Sequence, residues 1–462
     1  MRCQFKLLLC ILFFFLTSEV FAHGKSHEPK KKDVAFGRET HHMNMKMLKA
    51  LAMSQKPVNK PNVLKKTDYF STHNQRLSED KAFVYKLTEP VLLAAPPDAL
   101  PNAAAGAWSN VFEWDIVAVH ATLLPNGKVL VWDATPDDFD GVDLPDRTTI
   151  TRVRLWDPTS RAIQPINYNQ SDLFCAGSSH LWDGRVLFTG GDTGKKGINK
   201  GDTQSTIYDP YSNTWEKTGD MQAPRWYASV VSLPNGEMLT LGGTNLAPFS
   251  KPTDYVYSEV FQFDKTWRAL TNVPSAYGDN STGDYQWLQT KPNGDVIVLG
   301  PHTDIQNIKT SGAGQFLFRD KRDQLYRGYG SYALYEHDKA LISGGGLPKS
   351  FPGEGAVNSA VIINLNDDSV AVTSPMNFPR RQHNLTILAD GTVLASGGIK
   401  GKENLIDTNV ENQIMAAEIW KDGNWTTMSE MKVTRQYHSV ALLLTDGSVL
   451  HAGGGYCGDC LT

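Results

Sequence analysis

The sequence predicts an all-β fold, a seven-bladed kelch-type β-propeller preceded by a weakly structured N-terminal lead. Three observations predict it. A strand–turn–strand pattern recurs seven times, with turn markers at Gly127, Gly184, Gly236, Gly294, Asp338, Gly391 and Gly447. The gaps between markers are 57, 52, 58, 44, 53 and 56 residues, the span of one four-stranded blade. Composition changes near residue 105: all 11 tryptophans lie at or after Trp108, and only Gly24 and Gly37 of the 39 glycines precede residue 106. A single small sheet cannot bury both of its faces, but sheets stacked around an axis bury them and hide most strand edges.

Along the chain, residues 1–22 read as a signal peptide. Arg2 and Lys6 give a positive start, Leu7 to Leu16 is an apolar run, and Val20-Phe21-Ala22 fits a small-residue cleavage site. Cleavage there leaves 440 residues beginning at His23 and implies a secreted or periplasmic location. The apolar run continues past Cys10, which weakens a lipoprotein reading. Residues 23–105 read as a polar lead or linker. From residue 24 on, the lead carries 14 Lys/Arg against 8 Asp/Glu. His41, His42, Met43, Met45 and Met47 could meet a soft metal, although a solvated linker explains them more simply.

Residues 106–462 hold the seven repeats, from HATLLPNGKVLVWD at 120–133 to SVALLLTDGSVLHAGGG at 439–455. Each reads as a strand, a two-residue Asn-Gly or Asp-Gly type turn, and a second strand ending in glycines. Trp215, Trp267 and Trp425 fall where an outer hairpin would pack on the inner one. The seventh copy stops shortly after Cys460, so blade 7 reads as truncated: either the lead supplies its outer strands or an edge is exposed. Hydrophobic residues are 40% and charged residues 20%, enough for a core and against wholesale disorder. A net charge of -4 argues against a nucleic-acid partner held by bulk charge, and no run in the mature chain is long enough for a membrane span.

Equivalent positions of the inner strands converge on one end of the axis. Nine residues before the turn marker stand Ala118, Cys175, Tyr227, Tyr285, Tyr329, Gln382 and His438, the last preceded by Tyr437. Two tyrosines and a histidine supply oxygen and nitrogen ligands of the kind Cu(II) accepts, and a dication favours phenolate. Cys175 beside Tyr227 permits a thioether between sulfur and ring under oxidising conditions. The remaining mature cysteines, Cys457 and Cys460, can close a short disulfide in an oxidising compartment.

These residues resemble the copper radical oxidases, the galactose oxidase and glyoxal oxidase family, over roughly Trp108 to Cys460. The resemblance is carried by DLFCAGSSHLWDGRVLFTGG at 172–191, APRWYASVVSLPNGEMLTLGG at 223–243 and TRQYHSVALLLTDGSVLHAGGGYCGDC at 434–460. It implies one copper ion held by Tyr227, Tyr437 and His438. It makes Tyr227, joined to Cys175, the radical site, and Tyr437 the group that takes the substrate's hydroxyl proton. Trp226 could shield the radical by stacking. Tyr285, Tyr329 and Gln382 line the substrate channel, and Gln382 stands where some members place an aromatic. The implied reaction oxidises a primary alcohol or hydrated aldehyde, of a sugar or small molecule, by two electrons. Copper takes one and the tyrosyl radical the other, and dioxygen becomes hydrogen peroxide.

The family's second histidine ligand comes from a C-terminal domain, and no segment up to Thr462 matches it. His383, His302, His120 and the mature N-terminal His23 are candidate replacements, each with a simpler structural or surface explanation. The alternatives are a non-catalytic kelch propeller that binds carbohydrate or protein, derived from such an oxidase, and a shortened frame whose C-terminal domain is supplied by another chain.

Overall fold

Short β-branched runs broken at regular intervals by a turn glycine decide the architecture locally. In the computed structural model the described residues are 105–133, 151–193, 201–244, 257–275, 285–346, 355–401, 407 and 409–454. The signal peptide, the lead through residue 104, and Cys457 and Cys460 lie outside the described residues.

The described residues form six four-stranded sheets and one two-stranded hairpin. Within each sheet the strands run in sequence order from first to fourth. The first strands are His120–Leu123, Gly177–His180, Trp226–Ser232, Trp287–Thr290, Ser331–Glu336 and Arg381–Ile387, and the hairpin pairs Ser439–Leu443 with Val449–Gly453. The sole helical element among the described residues is the 3₁₀ turn Val410–Asn412. No helix there is long and apolar enough to cross a membrane.

The first strands meet one another from sheet to sheet. Ser232 Oγ donates to the His180 carbonyl at 3.0 Å, and Thr290 Oγ1 to the Ser232 carbonyl at 2.5 Å. Tyr332 donates to the Leu288 carbonyl at 2.8 Å, and the Leu385 amide to Ser331 Oγ at 3.1 Å. Asn384 Nδ2 then reaches Ser439 Oγ of the hairpin at 2.8 Å. The hairpin's other side packs Leu444, Leu450 and Ala452 against Val129, Val131 and Trp156 of the first sheet.

Between neighbouring sheets lie apolar layers. Leu130, Trp132 and Leu155 meet Val186, Phe188 and Tyr208, and Leu187 and Ile207 meet Met238 and Phe261. Leu239 and Val260 face Val296 and Val298, Ile297 and Leu299 face Ala340 and Ile342, and Leu341 faces Val393 and Trp420. Each fully buried Val, Leu or Ile contributes roughly 1.5–3 kcal/mol, so the layers between sheets are the dominant favourable term.

Among the described residues the seventh repeat shows its inner hairpin, and the residues after Gly454 lie outside them, so the expected truncation of blade 7 is untested. One expectation changes. The inner turns are not two-residue turns, except at His337–Asp338, where Glu336 pairs directly with Lys339. In the other six, the turn glycine's amide donates to the residue three before it at 2.9 to 3.0 Å. Only that glycine is left-handed, with φ between +78° and +88°. This is a type I turn closed by a glycine bulge. Pro125, Pro234 and Pro292 favour it in three of the six, because proline's fixed φ near -65° suits the first central position of a type I turn and proline has no N–H to close a two-residue Asn-Gly loop.

Candidate metal centre

The site is built by one backbone conformation repeated around the axis. Six of the seven axial residues are left-handed without being glycine: Cys175 (φ +56°), Tyr227 (+64°), Tyr285 (+39°), Tyr329 (+58°), Gln382 (+60°) and His438 (+60°). Ala118 alone is not. This conformation costs on the order of 1–3 kcal/mol per residue and persists only where the surroundings impose it. Buried arginines help impose it. Arg225, Arg327 and Arg380 stand two residues before Tyr227, Tyr329 and Gln382 and donate to the carbonyls of Gly242, Gly344 and Gly397 at 2.8, 2.9 and 2.7 Å. Arg435 does the same to Gly453 at 2.8 Å. The sequence reading missed these arginines, although their spacing from the axial residues was legible.

Cys175, Tyr227, Tyr437 and His438 come together as the sequence predicts. The hydroxyls of Tyr227 and Tyr437 lie 2.7 Å apart. The Tyr437 ring centroid is 4.1 Å from that of His438, and the Tyr227 ring lies nearly parallel to His438 at 6.4 Å. Cys175 is fully buried among Phe174, Trp226, Tyr227 and Tyr285. Burial pushes this thiol well above its ordinary range, and burial followed by the neighbouring Cys175 and Tyr437 does the same to the Tyr227 phenol. Burial lowers His438 to about 4, so its imidazole is neutral at physiological pH. His438 Nε2 is buried and has no hydrogen-bond partner among the described residues.

The other predicted residues surround this group. Trp226 covers Tyr227 with ring centroids 4.0 Å apart, and Tyr285 meets Tyr227 edge-on at 4.8 Å. Tyr329, 38% exposed, stands edge-on to Tyr437 at 5.9 Å, with the Arg381 guanidinium 5.0 Å from its ring. Gln382 is buried, with its amide on the Tyr329 carbonyl at 2.7 Å. A cavity of about 410 Å³ runs beside the site, lined in part by His120, Tyr285, Trp287, Tyr332 and His438.

Of the candidate replacement histidines, two are placed elsewhere. His383 bonds Ser343 at 3.0 Å, and His302 faces Gln286 at 3.4 Å. His120 does join the group: one of its ring nitrogens, Cys175 Sγ and a ring nitrogen of His438 all lie within 4.8 Å of one another. Burial, then His438, lowers it to about 3. Counting back from the turn pointed to Ala118 and so undervalued His120, two residues further on.

Two phenols, a neutral imidazole nitrogen without a partner and a nearby thiol suit a borderline transition metal that accepts nitrogen and oxygen, and copper fits. No protein-family model matches the chain. It is 29% identical to galactose oxidase of Gibberella zeae over 386 residues, covering 78% of this chain and 54% of that protein. It is 25% identical to aldehyde oxidase GLOX of Vitis pseudoreticulata over 324 residues, covering 65% of this chain and 59% of that protein. The chain thus spans about half the length of the curated relatives it matches. A solved fungal alcohol oxidase of the AA5 family, in complex with copper, matches with a TM-score of 0.66 at 24% identity, over 77% of this chain and 74% of that one, a likeness of fold. Fold and sequence together show an all-β propeller and support its relationship to the copper radical oxidase family. Within that family, galactose oxidase and the glyoxal oxidases are the members to which the propeller is related.

Proposed function

We propose that the chain is a secreted copper radical oxidase that oxidises a primary alcohol or aldehyde, of a sugar or small molecule, with dioxygen to give hydrogen peroxide. The observation that carries this reading is the 2.7 Å pairing of the Tyr227 and Tyr437 hydroxyls beside the buried, unpartnered Nε2 of His438. A dication would satisfy all three donors, and Tyr227, Tyr437 and His438 are the residues that would hold it. Copper, when bound, supplies one-electron redox chemistry and acidifies both phenols.

The chain's own residues do the rest. Tyr437 Oη takes the hydroxyl proton of the substrate; its ring stands edge-on to the part-exposed Tyr329. Cys175 joins the ring of Tyr227 as a thioether and lowers its oxidation potential. Trp226 lies over Tyr227 and keeps water from it. Tyr285, Tyr329 and Gln382 shape the approach. We extend the proposal to a seventh blade begun by the hairpin Ser439–Leu443 and Val449–Gly453, to export by residues 1–22, and to a Cys457–Cys460 disulfide.

The test is to load the purified protein with copper in air and to measure peroxide release over a panel of primary alcohols, aldehydes and sugars. Stoichiometric copper binding with peroxide from at least one substrate class is expected. Failure to bind copper and to release peroxide would leave a propeller that serves only in binding.

A further inference from the structure

Around the axis the starts of neighbouring first strands are tied together in a fixed order. The Tyr227 amide donates to the Cys175 carbonyl at 2.9 Å, the Tyr285 amide to the Tyr227 carbonyl at 2.8 Å, and the Gln382 amide to the Tyr329 carbonyl at 2.7 Å. Each bond runs from one axial residue to the axial residue of the preceding sheet. Each therefore holds the left-handed turn that aims a side chain inward.

Cys175 departs from this order. The axial residue before it is Ala118, which is not left-handed. The carbonyl of Ala118 is instead pressed against Gly453, where a Cβ would come within 2.0 Å of it. The Cys175 amide donates to Nε2 of His120 at 3.1 Å. An imidazole stands where Tyr227, Tyr285 and Gln382 use a carbonyl. Its ring is fixed, stacked on Trp132 at 5.3 Å with an interplanar angle of 17°, and edge-on to His438 at 5.9 Å.

We propose that His120 is the positioning residue for Cys175: by accepting its amide, His120 holds the left-handed turn that aims Sγ at the Tyr227 ring, and so sets the rate at which the two side chains join. The inference rests on the thioether reading above. With Nε2 accepting a hydrogen bond, the neutral ring carries its proton on Nδ1. Neither nitrogen then offers a lone pair to a metal, so His120 is a prop for the site and not the missing second ligand. Outer groups that orient reactive ones commonly act this way. The joining step breaks the Cys175 S–H bond and one ring C–H bond beside the Tyr227 hydroxyl, and forms one C–S bond. Two electrons and two protons pass to dioxygen, which becomes hydrogen peroxide, with copper as catalyst.

The experiment follows the loss of two hydrogens by intact mass after copper loading in air, with a thiol reductant added before measurement. Reduction reopens a disulfide and leaves a thioether. Three proteins are compared: wild type, His120→Leu, which fills the space without an acceptor, and His120→Gln, which restores one. Because a buried donor left without an acceptor is strongly disfavoured, His120→Leu should join at least about tenfold more slowly and keep Cys175 open to alkylation. His120→Gln should join close to the wild-type rate. Joining of His120→Leu at the wild-type rate would overturn the proposal, and so would a folded His120→Gln as slow as the leucine variant. If His120→Leu fails to fold, the glutamine variant alone decides. If wild type never loses the two hydrogens, the thioether reading fails, and amide hydrogen exchange at Cys175 tests the positioning role separately. In that case exchange at least about tenfold faster in His120→Leu sustains the role, and equal protection refutes it.

Discussion

Tyr437→Phe removes one oxygen and leaves the ring. The ring contacts to His438 at 4.1 Å and to Tyr329 at 5.9 Å survive, so packing around the site is kept. What is lost is the 2.7 Å hydroxyl pairing with Tyr227 and, on the proposed reading, one of the three groups that would hold copper, so metal analysis accompanies the rate assay. A single hydrogen bond of this kind is worth about 1 kcal/mol, so the variant should fold with nearly unchanged stability. The chemical effect is far larger. Removing a positioned proton acceptor typically costs a factor of about 10²–10⁴ in rate. That factor corresponds to roughly 3–5 kcal/mol in the barrier. The loss should fall on kcat, with KM little changed, because the aromatic walls of the mouth are intact. Peroxide release coupled to a dye-forming peroxidase reads the rate, and intact mass reads whether Cys175 and Tyr227 have joined. The expected outcome is a joined but nearly inactive protein. A kcat within about tenfold of wild type would show that Tyr437 is not the proton acceptor.

Cys175→Ser should abolish the two-hydrogen mass loss that persists under reduction while leaving copper binding in place, as read by metal analysis after desalting. Arg380 and Glu418 form a fully buried pair at 2.8 Å, and Glu418 also accepts from the Asn377 amide. Arg380→Met strands that carboxylate and should cost about 3–5 kcal/mol in urea unfolding, whereas the double change with Glu418→Leu should recover most of the loss. Acid should destabilise the fold through His383 and His451, both lowered to about 3 by burial first and by nearby arginine second. Their unfolded forms bind protons near 6.5, so this contribution is complete above that pH and is lost as pH falls from 6.5 toward 3. Each contributes about 1.4 kcal/mol per pH unit below 6.5. His383→Gln should therefore flatten the fall of urea stability between pH 6.5 and 4.5, and an unchanged slope would show that His383 does not titrate there.

The inner hairpins were legible because each joins β-branched runs through a glycine that needs positive φ, and this leaves a mark at every repeat. The turn type was misread because Asn-Gly alone suggests a primed turn, while the proline before it at Pro125, Pro234 and Pro292 has no N–H to close a two-residue loop and suits the first central position of a type I turn. Cys175, Tyr227 and His438 were found by counting, since residues at one phase of a cyclic repeat converge in space. His120 escaped the count because the first sheet does not follow the phase: Ala118 is not left-handed, and the functional side chain sits two positions along the strand. Nothing local in the sequence marks that departure. Gly453 crowds the Ala118 carbonyl as Gly190 crowds that of Arg225, so the first sheet matches its neighbours at Ala118 with the position two residues before their axial residue. Residues after Gly454 lie outside the described ones, so the expected truncation of the seventh repeat is untested.

The left-handed turn at the axis belongs to the scaffold, and the chemistry belongs to its occupant. Tyr285, Tyr329 and Gln382 adopt the same turn as Cys175, Tyr227 and His438, with φ between +39° and +64° throughout, yet they are not among the residues that would hold the metal. Glycine would fill any of these positions with less strain, since it has no Cβ to clash. That all six keep a functional side chain means the inward group is worth the cost at each. The arginines two residues upstream and the amide-to-carbonyl links hold the turn whatever side chain it carries, since every one of these contacts is made by backbone or by the arginine itself. A change of occupant can therefore alter the ligand set or the substrate mouth without disturbing a blade. At Cys175 the amide is held by a side chain, that of His120, where Tyr227, Tyr285 and Gln382 use a backbone carbonyl. The proposed joining of sulfur to ring is therefore open to a substitution at His120.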